Sequence, residues 1–94
     1  MVASESKSFT NISASTAAFF LNGGDYLVEA VATWGGGNVE LQALGPDGST
    51  WLSLPTALKL TANGSISGYL TPGQYRFTVT TATAVDCSVV RIPT

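Results

Sequence analysis

The chain has no histidine and one cysteine, Cys87. Without histidine it lacks the commonest general base and the commonest neutral metal ligand. Ser-His-Asp and Cys-His arrangements therefore cannot be built, and a lone thiol excludes both a multi-thiolate zinc site and an intramolecular disulfide. Charge is scarce as well, at 11% of residues. The four basic residues, Lys7, Lys59, Arg76 and Arg91, are scattered along a chain of net charge −2. A surface that tracks a phosphate backbone needs them clustered, so nucleic acid is not an expected partner. No apolar run approaches membrane-spanning length, and no membrane partner is expected. The start, "MVASESKSF", lacks the apolar core of a signal peptide, which predicts a chain made and folded in a cytoplasm.

Phosphate and metal loops are missing too. "GGG" (35–37) is followed by neither Lys-Ser/Thr nor a helical pattern, and no turn has the density of oxygen ligands that calcium requires. No cofactor and no metal are expected. Six carboxylates remain: Glu5, Asp25, Glu29, Glu40, Asp47 and Asp86. Asp25 and Asp47 sit in Gly-rich turns, where Asp is favoured for backbone reasons. Glu29 and Glu40 fall on strands joined by "WGGGN" and both point outward. That placement suggests an acid–base pair for glycoside hydrolysis, but a solvated sheet face explains it as well. The reading is a protein that is not an enzyme.

What is present is β structure. Ser and Thr together number 22, against 45% apolar residues, a composition suited to strands with neutral polar faces rather than to disorder. Ninety-four residues make one domain, 1–94, with residues 1–7 as an N-terminal arm. The sequence also repeats itself. "FLNGGDYLVEAVAT" (20–33) aligns with "YLTPGQYRFTVTT" (69–81) at a constant offset. After one residue is lost in the next loop, "NVELQAL" (38–44) meets "DCSVVRI" (86–92), and "SFTN" (8–11) meets "KLTA" (59–62) more loosely.

Two similar β units imply two facing sheets, since one sheet alone leaves an apolar face in water. Alternation places Tyr26, Val28, Ala30 and Ala32 inward, with their counterparts Tyr75, Phe77, Val79 and Thr81. "PDGS" (46–49) and "NG" (63–64) are hairpin signals. Strand segments are predicted at 6–12, 16–21, 25–34, 38–44, 50–54, 57–62, 65–70, 74–81 and 86–92. The fold class is all-β: a two-sheet antiparallel β-sandwich, jelly-roll or immunoglobulin-like, of about eight strands with an internal pseudo-repeat.

"LTPGQY" resembles the tyrosine corner of β-sandwich domains such as the fibronectin type III group. That resemblance implies a phenol packed inside and a hydroxyl bonded to nearby backbone. "LNGGDY" is similar but lacks the Pro. Cys87, in "AVDCSVV", reads as a small buried hydrophobe.

Two surface readings follow. In the first, Leu27, Val31 and Leu44 point outward with Glu29, Glu40 and Gln42, and form an apolar patch on one sheet: a candidate interface. In the second, Trp34 and Trp51 form a pair of exposed aromatic platforms for sugar rings, as in a carbohydrate-binding module. As core or lid residues the two tryptophans need no such role.

The Ser/Thr-rich start "ASESKSFTNISAS", the scarce charge and the serial strands ending in "LTPGQYRFTVTTATAVDCSVVRI" resemble the small virion proteins of tailed bacteriophages, the capsid decoration or cement proteins in particular. The resemblance implies a compact β-sandwich that assembles as a dimer or trimer on the capsid surface. Its partner there would be the major capsid protein, whose capsomer junctions it braces against internal pressure. It carries over no individual residue.

Overall fold

The structure, a computed structural model, describes residues 6–54 and 58–92. Among them are nine strands and no helix: β1 (Ser6–Ile12), β2 (Phe19–Leu21), β3 (Gly24–Thr33), β4 (Asn38–Leu44), β5 (Trp51–Ser53), β6 (Lys59–Leu60), β7 (Gly64–Leu70), β8 (Gly73–Thr80) and β9 (Thr83–Arg91). They form two antiparallel sheets. One has the order β1-β9-β3-β7; the other has the order β2-β8-β4-β5, with β6 also on β4. The first strand lies beside the last, the second beside the second last, and so inward to the β4–β5 turn. This is a long antiparallel ribbon wound into two sheets, a jelly roll. Of the expected N-terminal arm, residues 1–5 lie outside the described residues, while Ser6 and Lys7 pair with Val90 and Val89 in β1.

The repeat in the sequence is a symmetry of the fold. Gly24 pairs with Leu70 and Tyr26 with Gly68 in the first sheet. At the same offset, Gly73 pairs with Leu21 and Tyr75 with Phe19 in the second. The next strands agree: Val28 faces Val89, and Phe77 faces Leu41. Even the loosest part of the alignment holds, since Ser8 pairs with Ser88 where Lys59 pairs with Glu40. The pseudo-two-fold exchanges the sheets, so each half contributes strands to both.

Inward positions are as alternation requires. Tyr26, Val28, Ala30, Tyr75 and Phe77 are buried, with Leu41, Leu58, Val85 and Val89 completing the core between the sheets. Each buried Val, Leu or Phe among them contributes about 1.5–3 kcal/mol by leaving water. Phe9, Phe19 and Phe77 pack as an aromatic trio with centroids 5.7–6.0 Å apart. Offset and edge contacts of this kind add about 0.5–1.5 kcal/mol per pair.

Thr81 departs from the expected inward face. It is exposed, its φ is +66°, and the Ala82 N–H donates to the Thr80 carbonyl at 2.7 Å. That geometry is the positive-φ γ-turn, a strained reversal for a β-branched residue.

The Tyr75 hydroxyl donates to the Thr71 carbonyl at 2.5 Å. The bond ties the strand start back across the turn, as in a tyrosine corner. Tyr26 occupies the equivalent place and is fully buried. At the loop after β4, Asp47 accepts from the N–H groups of Ser49 and Thr50 and from the Thr50 hydroxyl. These bonds close the "PDGS" turn and start β5.

Candidate functional site

The candidate residues stand on the two outer faces of the sandwich, and the sheet order decides which of them meet. Adjacent strands in sequence were expected to be neighbours in one sheet, a rule that holds in about two-thirds of cases. Here β3 and β4 belong to different sheets. Leu27 and Val31 therefore lie on the outer face of the β3 sheet, and Leu44 lies on the outer face of the other. The three-residue patch on one sheet does not exist. Glu29 and Glu40 are parted for the same reason. They face water on opposite sides of the sandwich and cannot act as an acid–base pair.

On the first outer face the registers define rows across the strands. Ser67, Leu27, Val90 and Ser6 form one row; Ser65, Glu29, Ser88 and Ser8 form the next. Val31 stands beside Asp86 beyond them, and Tyr69 beside Asp25 at the other end. Val31 is 55% exposed and Tyr69 71%. Val90 takes the place that Leu44 was expected to fill. It is visible in the sequence only to a reader who already pairs β9 with β3. Small serines keep the face flat. A shallow depression of about 290 Å³ opens on it, bordered by Ser8, Glu29, Val31, Asp86 and Ser88. One Asp86 carboxylate oxygen accepts from the Asn11 N–H at 2.9 Å. Asn11 has a φ of +51° in the irregular part of β1, so this bond pins the bulge to β9.

The other outer face carries the second tryptophan. Trp51 pairs with Leu44, and the Arg76 guanidinium lies over its ring at 4.6 Å from the centroid. Arg76 Nη2 reaches Gln42 Oε1 at 3.4 Å, and Gln42 is its register partner on β4. Phe20, 48% exposed, stands on the same face at β2. Trp34 is elsewhere. It is half-buried against the core, and its indole N–H donates to Asn63 Oδ1 at 2.8 Å. Asn63 also accepts from the Ala32 N–H, which continues the β3 ladder past the end of β7. Trp34 adjoins the start of β4 and Trp51 its end, and seven residues of strand hold them about 20 Å apart. The two rings do not make one platform, and Trp34 is a lid on the core.

Cys87 is buried. Desolvation, with the Asp86 charge beside it, pushes the thiol up to about 11, so it is protonated and unreactive at neutral pH. Among the described residues no three His, Cys, Asp or Glu side chains converge on a point that could hold a metal ion. No protein-family model, characterised protein or solved structure matches the chain.

Proposed function

We propose that the chain is a non-enzymatic structural protein that works by adhesion, a decoration or cement protein of a tailed-phage capsid whose partner is the major capsid protein. The observation that carries this reading is the outer face of the β3 sheet. Leu27 and Val90 lie side by side there, flanked in their row by serines, and Val31 is exposed on the same face beyond the row of Glu29 and Ser88. A face on which small serines surround an apolar pair, with three carboxylates at intervals, suits docking to another protein surface. Jelly rolls serve capsid and lectin roles alike, so the architecture does not choose between adhesion and sugar binding. What supports adhesion over sugar binding is that the aromatic pair needed for a sugar platform is split between two ends of the molecule, whereas Leu27 and Val90 are register partners on one face.

The face also carries Asp25, Glu29 and Asp86 and no Lys or Arg in its paired rows. Two copies laid face to face would oppose like charges, which disfavours that arrangement. The face suits a different protein with a neutral or basic rim, and a dimer or trimer of this chain uses other surfaces. Weak single contacts then sum over a repeating lattice.

The test is made on virions. Antibody raised against the purified chain, followed by gold labelling, is expected to mark the heads of phage particles from the source culture. Purified wild-type chain is expected to rebind heads stripped of it. Val31→Asp should lose rebinding, and Leu44→Asp, on the opposite face, should keep it. Gold that never marks heads would sink the virion reading. Equal rebinding by Val31→Asp and wild type would sink the face.

A further inference from the structure

Among the described residues, the strands of each half pair with strands of the other half or of the connection between them. The first half, β1–β4, and the second, β6–β9, alternate in the order β1-β9-β3-β7, and alternate again in β2-β8-β4-β6. Among the described residues no strand of the first half pairs with another of that half, and the same is true of the second; β4–β5 involves the connection between them. The core is likewise shared, with Tyr26, Val28 and Leu41 from one half against Phe77, Val85 and Val89 from the other.

We propose that a second copy of this chain binds by exchange of halves. The first half of each copy winds with the second half of the other, giving two complete jelly rolls joined by two connecting segments. Every ladder between the halves, and the core they share, recurs in that dimer, so the interface needs no new complementarity. Only the connection, residues 45–57, changes course, and the three pairs of the β4–β5 ladder are given up with it. Thirteen residues extend to about 43–47 Å, which exceeds the 37 Å longest dimension of the molecule. A half can therefore reach a neighbour.

What holds the connection folded back is the short β4–β5 ladder, the Arg76 guanidinium over Trp51 and the turn from Gly45 to Thr50. The turn is closed by the Gly45 N–H to the Thr50 carbonyl and by the exposed bonds to Asp47. Water replaces such exposed bonds at little cost. The first half also leaves the ribosome before the second and has no strand partner within itself, so a neighbouring chain competes for it during synthesis. Once wound, the halves separate only by unfolding a whole unit. The exchange thus makes a link between two positions that dilution does not undo. It is independent of the virion reading and holds for the chain in solution.

Complementation between two full-length variants tests it. Val28→Asp breaks the first half and Phe77→Asp the second, each by placing an unpaired carboxylate in the shared core. Alone, each is expected to lose its β-sheet circular dichroism. Refolded together, the sound first half of the Phe77→Asp chain and the sound second half of the Val28→Asp chain should form one intact unit. The mixture should regain about half of the wild-type signal and sediment as a heterodimer. A mixture indistinguishable from the sum of its parts overturns the proposal. Should either variant fold alone, the wild type decides. Refolding at rising concentration is expected to yield a growing dimer fraction that survives dilution, and Asp47→Ala should raise that fraction by loosening the turn. Absence of such a dimer in both proteins, or a dimer that falls apart on dilution, overturns it equally.

Discussion

Gly23 lies against Pro72. A Cβ on Gly23 would stand 2.9 Å from Pro72 Cδ and 3.1 Å from its nitrogen. The two residues hold the same position in "LNGGDY" and "LTPGQY", so the two turns meet across the pseudo-two-fold. The contact explains why only one copy of the phrase has a proline. Gly23 has a φ of +92°, which the pyrrolidine ring forbids, and Pro72 occupies the space a second ring would need. The asymmetry of the motif is a packing solution at the axis.

This contact predicts a coupling. Gly23→Ala should destabilise the fold both through its positive φ and through the clash with Pro72. In a Pro72→Ala background the steric part shrinks while the φ part stays. A double-mutant cycle by urea denaturation is expected to give a coupling of at least about 0.5 kcal/mol, the range for residues in contact. Strict additivity would show that the two turns do not press on one another.

The opposite end of the sandwich makes a sharper demand. Gly37 precedes β4, and an added Cβ would sit 1.9 Å from the Thr80 carbonyl oxygen and 2.6 Å from the Ala82 nitrogen. The crossover from β3 to β4 is thus pressed onto the γ-turn between β8 and β9, its counterpart in the other half. Backbone cannot swing aside as a long side chain can. Gly37→Ala is expected to cost at or beyond the ~3 kcal/mol upper end for overpacking. Gly36→Ala, where nothing lies within 4 Å, should lose only what its positive φ costs. Equal melting temperatures for the two variants would contradict the crossing.

How much of this was legible in the sequence depends on the kind of signal. Alternation in "YLVEA" and "YRFTV" identified the core faces, because a half-buried strand must bury every second residue. The repeat also aligned the segments that the fold makes equivalent, β1 with β6 and β4 with β9. What it did not disclose was which strands share a sheet. Pairing β3 with β4 across "WGGGN" was the local guess, and it merged Leu44 with Leu27 and Val31 and brought Glu29 to Glu40. The jelly roll instead pairs β3 with β9 and β7, contacts more than thirty residues apart in sequence that no short pattern encodes. Val90 and the Arg76–Trp51 stack went unread for the same reason, since the first needs β9 beside β3 and the second needs β8 and β5 on either side of β4.

Tyr75 gives a direct measure of the turn. Its ring is buried and its hydroxyl donates to the Thr71 carbonyl. Tyr75→Phe keeps the ring and removes the bond, so the expected loss is about 1 kcal/mol in chemical denaturation. No loss would mean that the bond contributes nothing beyond what water offers, and the corner would be held by packing alone.

Asp47 supplies a pH dependence of known sign. The Thr50 hydroxyl, then the backbone N–H groups of Ser49 and Thr50, hold its carboxyl down from 3.8 to about 2. A carboxyl whose folded pKa is depressed stabilises the fold above its unfolded value, and that stabilisation is lost as pH falls through the folded one. The window is therefore from about pH 4 down to about pH 2. Melting temperatures of wild type and Asp47→Asn should differ by a constant amount above pH 4 and converge towards pH 2. A difference unchanged across that window would remove the turn as a titrating element.

Arg76 and Trp51 give the last prediction, in which two effects oppose each other. The guanidinium over the indole contributes about 0.5–1 kcal/mol at a partly exposed site. Yet Arg76 Nε is shut off from solvent with no hydrogen-bond partner among the described residues, and a buried unpaired donor costs about 1–3 kcal/mol. Arg76→Ala removes both, so its stability should change little or rise slightly. Its fluorescence should not stay the same. In the wild type Arg76 covers one face of Trp51, while Trp34 is half-buried and tied to Asn63. Removing Arg76 uncovers Trp51 alone, and acrylamide quenching is expected to rise by an amount that a Trp51→Phe background abolishes. Unchanged quenching would mean that Arg76 does not cover the ring. Sugar binding gained only in the Arg76→Ala variant would show that this stack, rather than the distance between the tryptophans, is what keeps the face from acting as a carbohydrate platform.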